Sequence, residues 1–239
     1  MFKRKRSQTE VFDSFGWWHK SCFLNQITGD RCDYIESCIT RVYGENALAQ
    51  QEILEIGCGG GLICEQLAAR KAIMVGIDPS ERALAEAREH TLQSGFGQNV
   101  YYQQGYAEDL PYADGSFSVI VSLDVLEHVR DLAMTIREVA RVLAPGGIFV
   151  FDTINRTLLA RAILIWFGEN FASGGMVPGL HSYTGFIRPA ELRHHLLRSN
   201  LRVHEMTGFL PVGWSDGHVK MGPGGPMTVS YVGYATKNL

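Results

Sequence analysis

Short apolar runs alternate with segments of helical spacing along the middle of the chain. Runs of strand length stand at 53–56, 72–77, 100–103, 117–123 and 148–154. Between them apolar residues recur at helical spacing, as at Ala83, Leu84 and Ala87. Strands that are apolar throughout and alternate with helices are typical of a parallel sheet covered on both faces. The pattern therefore predicts an α/β fold.

The pattern differs on either side of this region. Helices are predicted at 31–43, at 156–171 as an amphipathic insert and at 189–199, with a loop at 174–185. Late strands are predicted at 201–205 and 228–235, the second after a turn rich in Gly and Pro, which favours a closing antiparallel hairpin. No internal repeat or Pro/Ser-rich linker divides the chain, so we expect a single domain over residues 1–239.

A glycine-rich turn, with the sequence GCGGG from Gly57 to Gly61, follows the first strand and opens a helix. Glycines allow a close backbone approach to a ligand, and the free N–H groups of a helix start favour an anion. Asp78 ends the next strand, where a carboxylate can accept hydrogen bonds from a ribose diol. Leu62 replaces the last glycine of a GxGxxG dinucleotide fingerprint, which argues against a nicotinamide cofactor.

An acid–acid–histidine group follows the fourth predicted strand. Asp124, Glu127 and His128 stand at i, i+3 and i+4, so they share one face if this turn is helical. His128 can then act as a general base, or the three side chains can hold Mg²⁺, Mn²⁺ or Zn²⁺. The alternative is that Asp124 and Glu127 only stabilise the start of the next helix.

Composition narrows the class of protein. The chain has 239 residues, a formal net charge of −3 and no basic stripe, which predicts no nucleic-acid partner. Its 5 cysteines form no CxxC pair, so we expect free thiols and a cytoplasmic location. The apolar run at 158–167 is interrupted by Arg161 and is too short to span a bilayer.

Several sequence motifs resemble those of class I S-adenosylmethionine-dependent methyltransferases: ILEIGCGGG, GIDPS, AEDLPY, LEHV and LAPGG. LDVLEHV, TINRT and FIRPAEL resemble more narrowly the ubiquinone-biosynthesis O-methyltransferases. The resemblance implies a Rossmann-like, mostly parallel seven-stranded sheet with a helical insert after the fifth strand. It divides the domain into a tail with lid helices (1–50), a cofactor-binding core (51–155), a substrate-side insert (156–190) and C-terminal elements (191–239).

The resemblance also implies roles for individual residues. Asp78 binds the cofactor ribose, Arg31 reaches the cofactor carboxylate, and Ala107 and Glu108 contact the adenine. The whole expected cofactor site is Arg31, Glu55, Gly57, Cys58, Gly59, Asp78, Pro79, Ala107, Glu108 and Leu123. The family is described as having Glu, Glu and His for a Mg²⁺-type site, where this chain has Asp124, Glu127 and His128. The implied acceptor is a catechol with a polyprenyl tail.

Further candidates lie in the predicted insert. His181 and Tyr183 are candidate substrate residues in the loop before FIRPAEL. An apolar stripe there either packs on the core or contacts a membrane surface or a prenyl chain; its members are Leu158, Leu159, Ile163, Trp166 and Phe167. The basic run Lys3–Arg6 is either a flexible tail or an attraction for anionic lipid.

Three other functions compete with quinone O-methylation. A methyltransferase of secondary metabolism would keep the cofactor motifs and act on another aromatic O, N or C acceptor. A nicotinamide oxidoreductase is opposed by Leu62. A non-catalytic cofactor-binding module would be indicated if Asp124 and His128 lay far from the cofactor site.

Overall fold

The computed structural model describes residues 15–20, 22–168, 180–215 and 218–239. Its helices are α1 (Phe23–Tyr43), α2 (Leu62–Ala69), α3 (Glu81–Gln93), α4 (Leu132–Val142), the short α5 (Leu158–Ala160) and α6 (Pro189–Arg198), with a 3₁₀ turn at Ala47–Gln50. Its strands are β1 (Glu52–Ile56), β2 (Ile73–Asp78), β3 (Val100–Gln104), β4 (Phe117–Ser122), β5 (Leu143–Ile154), β6 (Leu201–Ser215), β7 (His218–Pro223) and β8 (Ser230–Lys237).

One sheet contains all the strands of the described residues, in the order β3-β2-β1-β4-β5-β8-β6-β7. Strands β1 to β5 run parallel to one another, with Leu54 opposite both Val75 and Ile120. Strand β8 is antiparallel to both β5 and β6. The predicted α/β fold with a closing antiparallel strand is confirmed. The strand order changes direction at β1, which places a ligand crevice at the carboxyl ends of β1 and β4.

The prediction of a seven-stranded sheet is wrong, because the described sheet has 8 strands. Strand β6 continues ten residues beyond the predicted end at Glu205 and pairs with β7. Pro211 lies at an irregularity in this pairing, which is where a sheet tolerates proline. The hairpin is therefore formed by β6 and β7, and β8 lies between β5 and β6.

Side-chain caps set where the helices of the parallel half begin. Ser80 Oγ accepts a hydrogen bond from Ala83 N at 3.1 Å at the start of α3. Asp131 caps α4 in the same way through Met134 N at 2.9 Å. Each cap satisfies a backbone donor that the first helical turn leaves unpaired. Helix α1 begins at Phe23, earlier than the predicted start at 31.

The insert after β5 is only partly α-helical. Thr157 caps the three-residue α5, and the chain continues as a π-type helix over Arg161–Gly168. The predicted amphipathic helix over 156–171 is helical from Leu158 to Gly168, and most of this part is π-type. The rest of that helix, the first half of the predicted loop at 174–185, the side chain of Phe167 and the run Lys3–Arg6 lie outside the described residues.

Two apolar clusters cover the two faces of the sheet, and a smaller one lies under residues 15–20. The 5 cysteines are all buried and free, as the sequence predicts. No helix among the described ranges has the length and apolar character needed to cross a membrane.

Candidate active site

A cavity of about 420 Å³ opens at the carboxyl ends of β1, β2, β4 and β5. Most of the residues predicted for the site lie in its wall. These are Arg31, Glu55, Gly57, Cys58, Asp78, Pro79, Ala107, Glu108, Leu123, Asp124, His128 and His181. Parallel strands and the crevice at the change of strand order bring these distant segments together.

The glycine loop and Asp78 form one hydrogen-bonded unit. Asp78 Oδ2 accepts from Gly59 N at 2.9 Å, and Oδ1 accepts from Ser80 N at 2.8 Å. Asp78 ends β2 at the carboxyl edge of the sheet, where a carboxylate can accept hydrogen bonds from a ribose diol. Gly57 has φ of 73°, and a Cβ atom built there would lie 2.3 Å from the Val125 side chain. The geometry of the loop therefore fits the adenosyl cofactor that its motifs imply.

Burial changes the acidity of two other groups in this wall. Burial raises the pKa of Glu55 to about 8, and Glu55 Oε2 has no hydrogen-bond partner among the described residues. Burial also raises the pKa of the Cys58 thiol to about 11. A thiol of this kind stays protonated at neutral pH, so Cys58 contributes its backbone and volume to the site rather than a nucleophile.

Arg31 joins α1 to the acidic side of the cavity. Its guanidinium pairs with the carboxylate of Asp124 and lies 3.2 Å from Asp152 Oδ2. Asp152 Oδ1 also accepts from Asp124 N at 2.5 Å. Burial raises the pKa of Asp152 to about 7, although Arg31 opposes this rise. Arg31 thus faces the cavity, as predicted, and two carboxylates hold its side chain there.

The prediction that Asp124, Glu127 and His128 share a helical face is wrong. Asp124 has φ of 53°, in the left-handed region, and the next helix begins only at Leu132. Glu127 instead accepts a hydrogen bond from Thr153 Oγ1 at 2.7 Å. The segment is a turn because Arg31 and Asp152 hold the side chain and the amide of Asp124.

The sequence leaves a metal site at Asp124, Glu127 and His128 as one of two alternatives, and the described side chains are not arranged for it. No three His, Cys, Asp or Glu side chains of the described chain are placed to hold a metal ion. The Asp124 carboxylate is engaged by Arg31, and the Glu127 carboxyl is directed to Thr153. These residues therefore do not fit a cation shared by Asp124, Glu127 and His128.

Two imidazoles lie together in the cavity wall. The rings of His128 and His181 have centroids 5.6 Å apart, and the His181 ring is 6.0 Å from that of Phe186. Burial, together with His181, lowers the pKa of His128 to about 4. His128 is therefore neutral at physiological pH, and one of its ring nitrogens is a proton acceptor.

Three predicted residues, Gly59, Glu127 and Tyr183, are not in the cavity wall. Gly59 acts through its amide, which donates to Asp78. Glu127 is buried beside Thr153, and burial and Asp124 raise its pKa to about 8. The half-buried Tyr183 packs against a small apolar cluster, with the Arg161 guanidinium 5.5 Å from its ring centroid.

Sequence reasoning missed Asp152 and Trp17, which both line the cavity. Asp152 lies near the carboxyl end of β5, directly beside β4, and an acid within an otherwise apolar strand is the signal that could have identified it. For Trp17, nothing in the local sequence pattern indicates that it lies on the glycine loop.

Comparisons with known proteins agree with this geometry. Residues 54–151 match the family model described as a methyltransferase domain. An S-adenosylmethionine-dependent methyltransferase from Thermotoga maritima is 21% identical, with a TM-score of 0.65 and coverage of 95% of this chain and 99% of that chain. Magnesium protoporphyrin IX methyltransferase from Synechocystis, solved with bound SAH, is 17% identical, with a TM-score of 0.62 and coverage of 96% and 93%. These structures show the fold.

Two sequence relatives are more similar. The protein named ubiquinone biosynthesis O-methyltransferase from Agrobacterium fabrum is 36% identical over 213 residues, which cover 85% of this chain and 84% of that protein. The protein of the same name from Azorhizobium caulinodans is 34% identical over 214 residues, covering 85% and 83%. The chain therefore belongs to the ubiquinone biosynthesis O-methyltransferase family and is an S-adenosylmethionine-dependent methyltransferase.

Proposed function

We propose that the protein methylates the hydroxyl of a phenol or catechol, and that its acceptor is a prenylated intermediate of quinone biosynthesis. The observation that carries this proposal is the similarity of 85% of the chain to relatives named for ubiquinone biosynthesis. The composition of the cavity wall supports it independently, because a proton acceptor and an extended apolar surface meet there.

Methylation of a phenol requires the removal of its hydroxyl proton, since a phenol with a pKa of about 10 is mostly protonated at neutral pH. S-adenosylmethionine, when bound, supplies an electrophilic methyl group whose former bonding electrons remain on sulfur. His128 accepts the proton that the acceptor oxygen loses as it forms its bond to carbon. Burial keeps His128 neutral, and its lowered pKa makes it a weak base. The transfer becomes favourable as the new O–C bond forms, because the proton on an oxygen that is being methylated is strongly acidic, and His181 lies beside His128 to orient the hydroxyl.

The Arg31–Asp124–Asp152 group positions this base. The ion pair and the hydrogen bond from Asp124 N hold the turn that carries His128. Glu127 acts from behind the same turn, because its hydrogen bond with Thr153 fixes the turn to β5. We therefore assign Asp124 and Glu127 to positioning, while His128 is the catalytic residue.

Apolar side chains from three parts of the chain face the other side of the cavity. They come from α1, the insert and the β6–β7 hairpin: Phe23, Leu24, Ile27, Leu164, Leu180, Phe209 and Met221. At about 25 cal/mol for each Å² of apolar surface removed from water, such a wall favours a prenyl chain over a polar substituent.

The outer face of the insert supports a location at a membrane surface. Leu158 is 74% exposed and Trp166 is 67% exposed, and Arg161 lies between them in the sequence. Exposed apolar and aromatic residues beside a cation are typical of an interfacial helix. We infer a cytoplasmic protein with peripheral membrane contact, and the buried free cysteines agree with a reducing compartment.

An acceptor panel tests the proposal. The protein is incubated with labelled S-adenosylmethionine and catechols that differ only in the presence of a prenyl tail, and the label in the product is measured. We expect O-methylated product, with a lower KM for the prenylated catechols. Methylation of an amine or carbon acceptor in preference to every catechol would contradict the proposal.

A further inference from the structure

The chain before α1 folds back over the glycine-rich loop. Trp17 is only 8% exposed, and a Cβ atom built on Gly60 would lie 2.3 Å from its side chain. A Cβ atom on Gly59 would lie 2.4 Å from the far edge of the same indole. The Phe15 ring packs against it with centroids 4.6 Å apart. The Trp17 indole therefore covers the loop, and the absence of side chains at both glycines allows it.

Trp18 connects the segment that carries Trp17 to the glycine loop and to helices α2 and α3. Its Nε1 donates to Gly60 O at 2.9 Å, and its indole stacks on the His90 ring at 3.4 Å between centroids and 6° between planes. His90 belongs to α3, and its Nδ1 lies 2.8 Å from Glu65 Oε2 on α2. Trp18, His90 and Glu65, which we call the clasp, thus join the Trp17 segment to helices α2 and α3.

The Trp17 indole and the expected cofactor residues line the same cavity. Phe15 and Trp17 line the cavity together with Gly57 and Asp78. A ligand that fills the cavity between Asp78 and the glycine loop therefore meets the indole on its open side. Trp17 belongs to a small apolar cluster that is separate from the two main cores, so it can move without disrupting the sheet.

We propose that Trp17 is a cofactor-binding residue that closes the S-adenosylmethionine site, and that the clasp positions it. An aromatic wall excludes water from the cavity and retains the bound cofactor. The clasp then sets how fast the cofactor leaves, because its stacking and hydrogen bonds must break before the wall can move. This proposal rests on the cofactor of the family and is independent of the acceptor.

Binding of S-adenosylhomocysteine to the full-length chain tests the wall. The dissociation constant is measured by calorimetry and the dissociation rate by stopped-flow fluorescence, without any acceptor. Trp17→Ala is expected to raise the dissociation constant by about 10-fold or more, the order expected for the loss of a buried aromatic contact. Trp17→Leu keeps part of the apolar volume, so we expect a smaller loss of affinity than in Trp17→Ala. The same variant replaces Trp17→Ala in the test if Trp17→Ala does not fold. Trp214→Phe, at a residue that is 76% exposed on the hairpin, is the control.

Two further variants test the clasp. Trp18→Phe keeps an aromatic face but removes the donor to Gly60 O, and His90→Ala removes the stacking partner. Each is expected to raise the dissociation rate about 3- to 10-fold, the loss of roughly one hydrogen bond or aromatic pair. The denaturation midpoint of both variants is expected to stay near that of the wild type. A residue with a purely structural role would instead lower the midpoint and leave the dissociation rate unchanged.

Fluorescence identifies the responding indole. A change in emission on addition of S-adenosylhomocysteine should disappear in Trp17→Phe and remain in Trp214→Phe. Unchanged affinity and dissociation rate in Trp17→Ala and Trp17→Leu would overturn the proposal. Because no acceptor is present, a failure of the acceptor panel leaves this result unaffected, and the two proposals can fail separately.

Discussion

The guanidinium of Arg31 on α1 lies 3.2 Å from the carboxylate of Asp152 on β5, and the same guanidinium pairs with Asp124 on the turn after β4. One cation therefore compensates the buried carboxylate of Asp152 and the partly exposed carboxylate of Asp124, which belong to separate segments. It also fixes the N-terminal helix to the carboxyl edge of the sheet, where the cavity opens.

The first prediction concerns this ion pair. Arg31→Ala leaves both carboxylates without a counter-charge, so we expect a loss of about 3–5 kcal/mol in the free energy of unfolding, measured by denaturant titration. Arg41→Ala is the matched control, because it breaks the exposed pair with Glu205 and should cost less than about 1 kcal/mol. An equally small loss in Arg31→Ala would contradict a stabilising role for this buried cation.

The second prediction separates a base from a metal site. His128→Ala should lower kcat by about 10²–10⁴, the usual contribution of a general base. EDTA should leave the rate unchanged, because the Asp124 carboxylate pairs with Arg31 and the Glu127 carboxyl group accepts a hydrogen bond from Thr153. Initial rates with and without chelator provide the measurement. Loss of activity in EDTA, with recovery in Mg²⁺, would show that these side chains rearrange around a cation.

The third prediction concerns stability and pH. Burial and Asp124 raise the pKa of Glu127 from 4.5 to about 8 in the folded protein, so the folded state binds this proton more tightly than the unfolded chain. Its contribution to stability is complete below pH 4.5 and is lost as the pH rises through 8. Glu127→Gln should therefore reduce the fall in unfolding free energy between about pH 5 and pH 8.

Glu138 provides the control for this measurement. Its hydrogen bond with Arg141 lowers its pKa, so it titrates below 4.5 in the folded protein. Glu138→Gln should leave the slope between about pH 5 and pH 8 unchanged, because both its folded and unfolded states are ionised there. Equal slopes in wild type and Glu127→Gln would indicate that Glu127 is ionised throughout this range.

The fourth prediction compares two neighbours in the glycine loop. Cys58→Ala should retain cofactor affinity within about 3-fold, because the buried thiol is protonated and acts only through its volume. Gly59→Val should abolish binding, since φ is 50° there and a Cβ atom would lie 2.4 Å from Trp17. Calorimetry with S-adenosylhomocysteine measures both. A Cys58→Ala protein that binds cofactor but makes no product would point to thiol chemistry.

Local sequence determined the parallel half of the fold and its cofactor loop. Apolar runs of strand length that alternate with helices favour strands buried on both faces, so β1, β2, β4 and β5 follow from their composition. The tight turn at 57–61 requires glycines, and Asp78 ends the next strand. Both requirements come from local backbone geometry and do not depend on the surrounding segments. For the same reason the cap at Ser80 is visible in the sequence.

Only the tertiary structure decided the chemistry around His128. The spacing of Asp124, Glu127 and His128 predicts a shared helical face, but Arg31 and Asp152 hold Asp124 in a left-handed conformation and prevent that helix. Likewise, Trp17 reaches Gly60 and Trp18 reaches His90 across distant parts of the chain. Contacts of this kind leave no periodic signal, because they depend on how separate segments meet and not on the residues next to them.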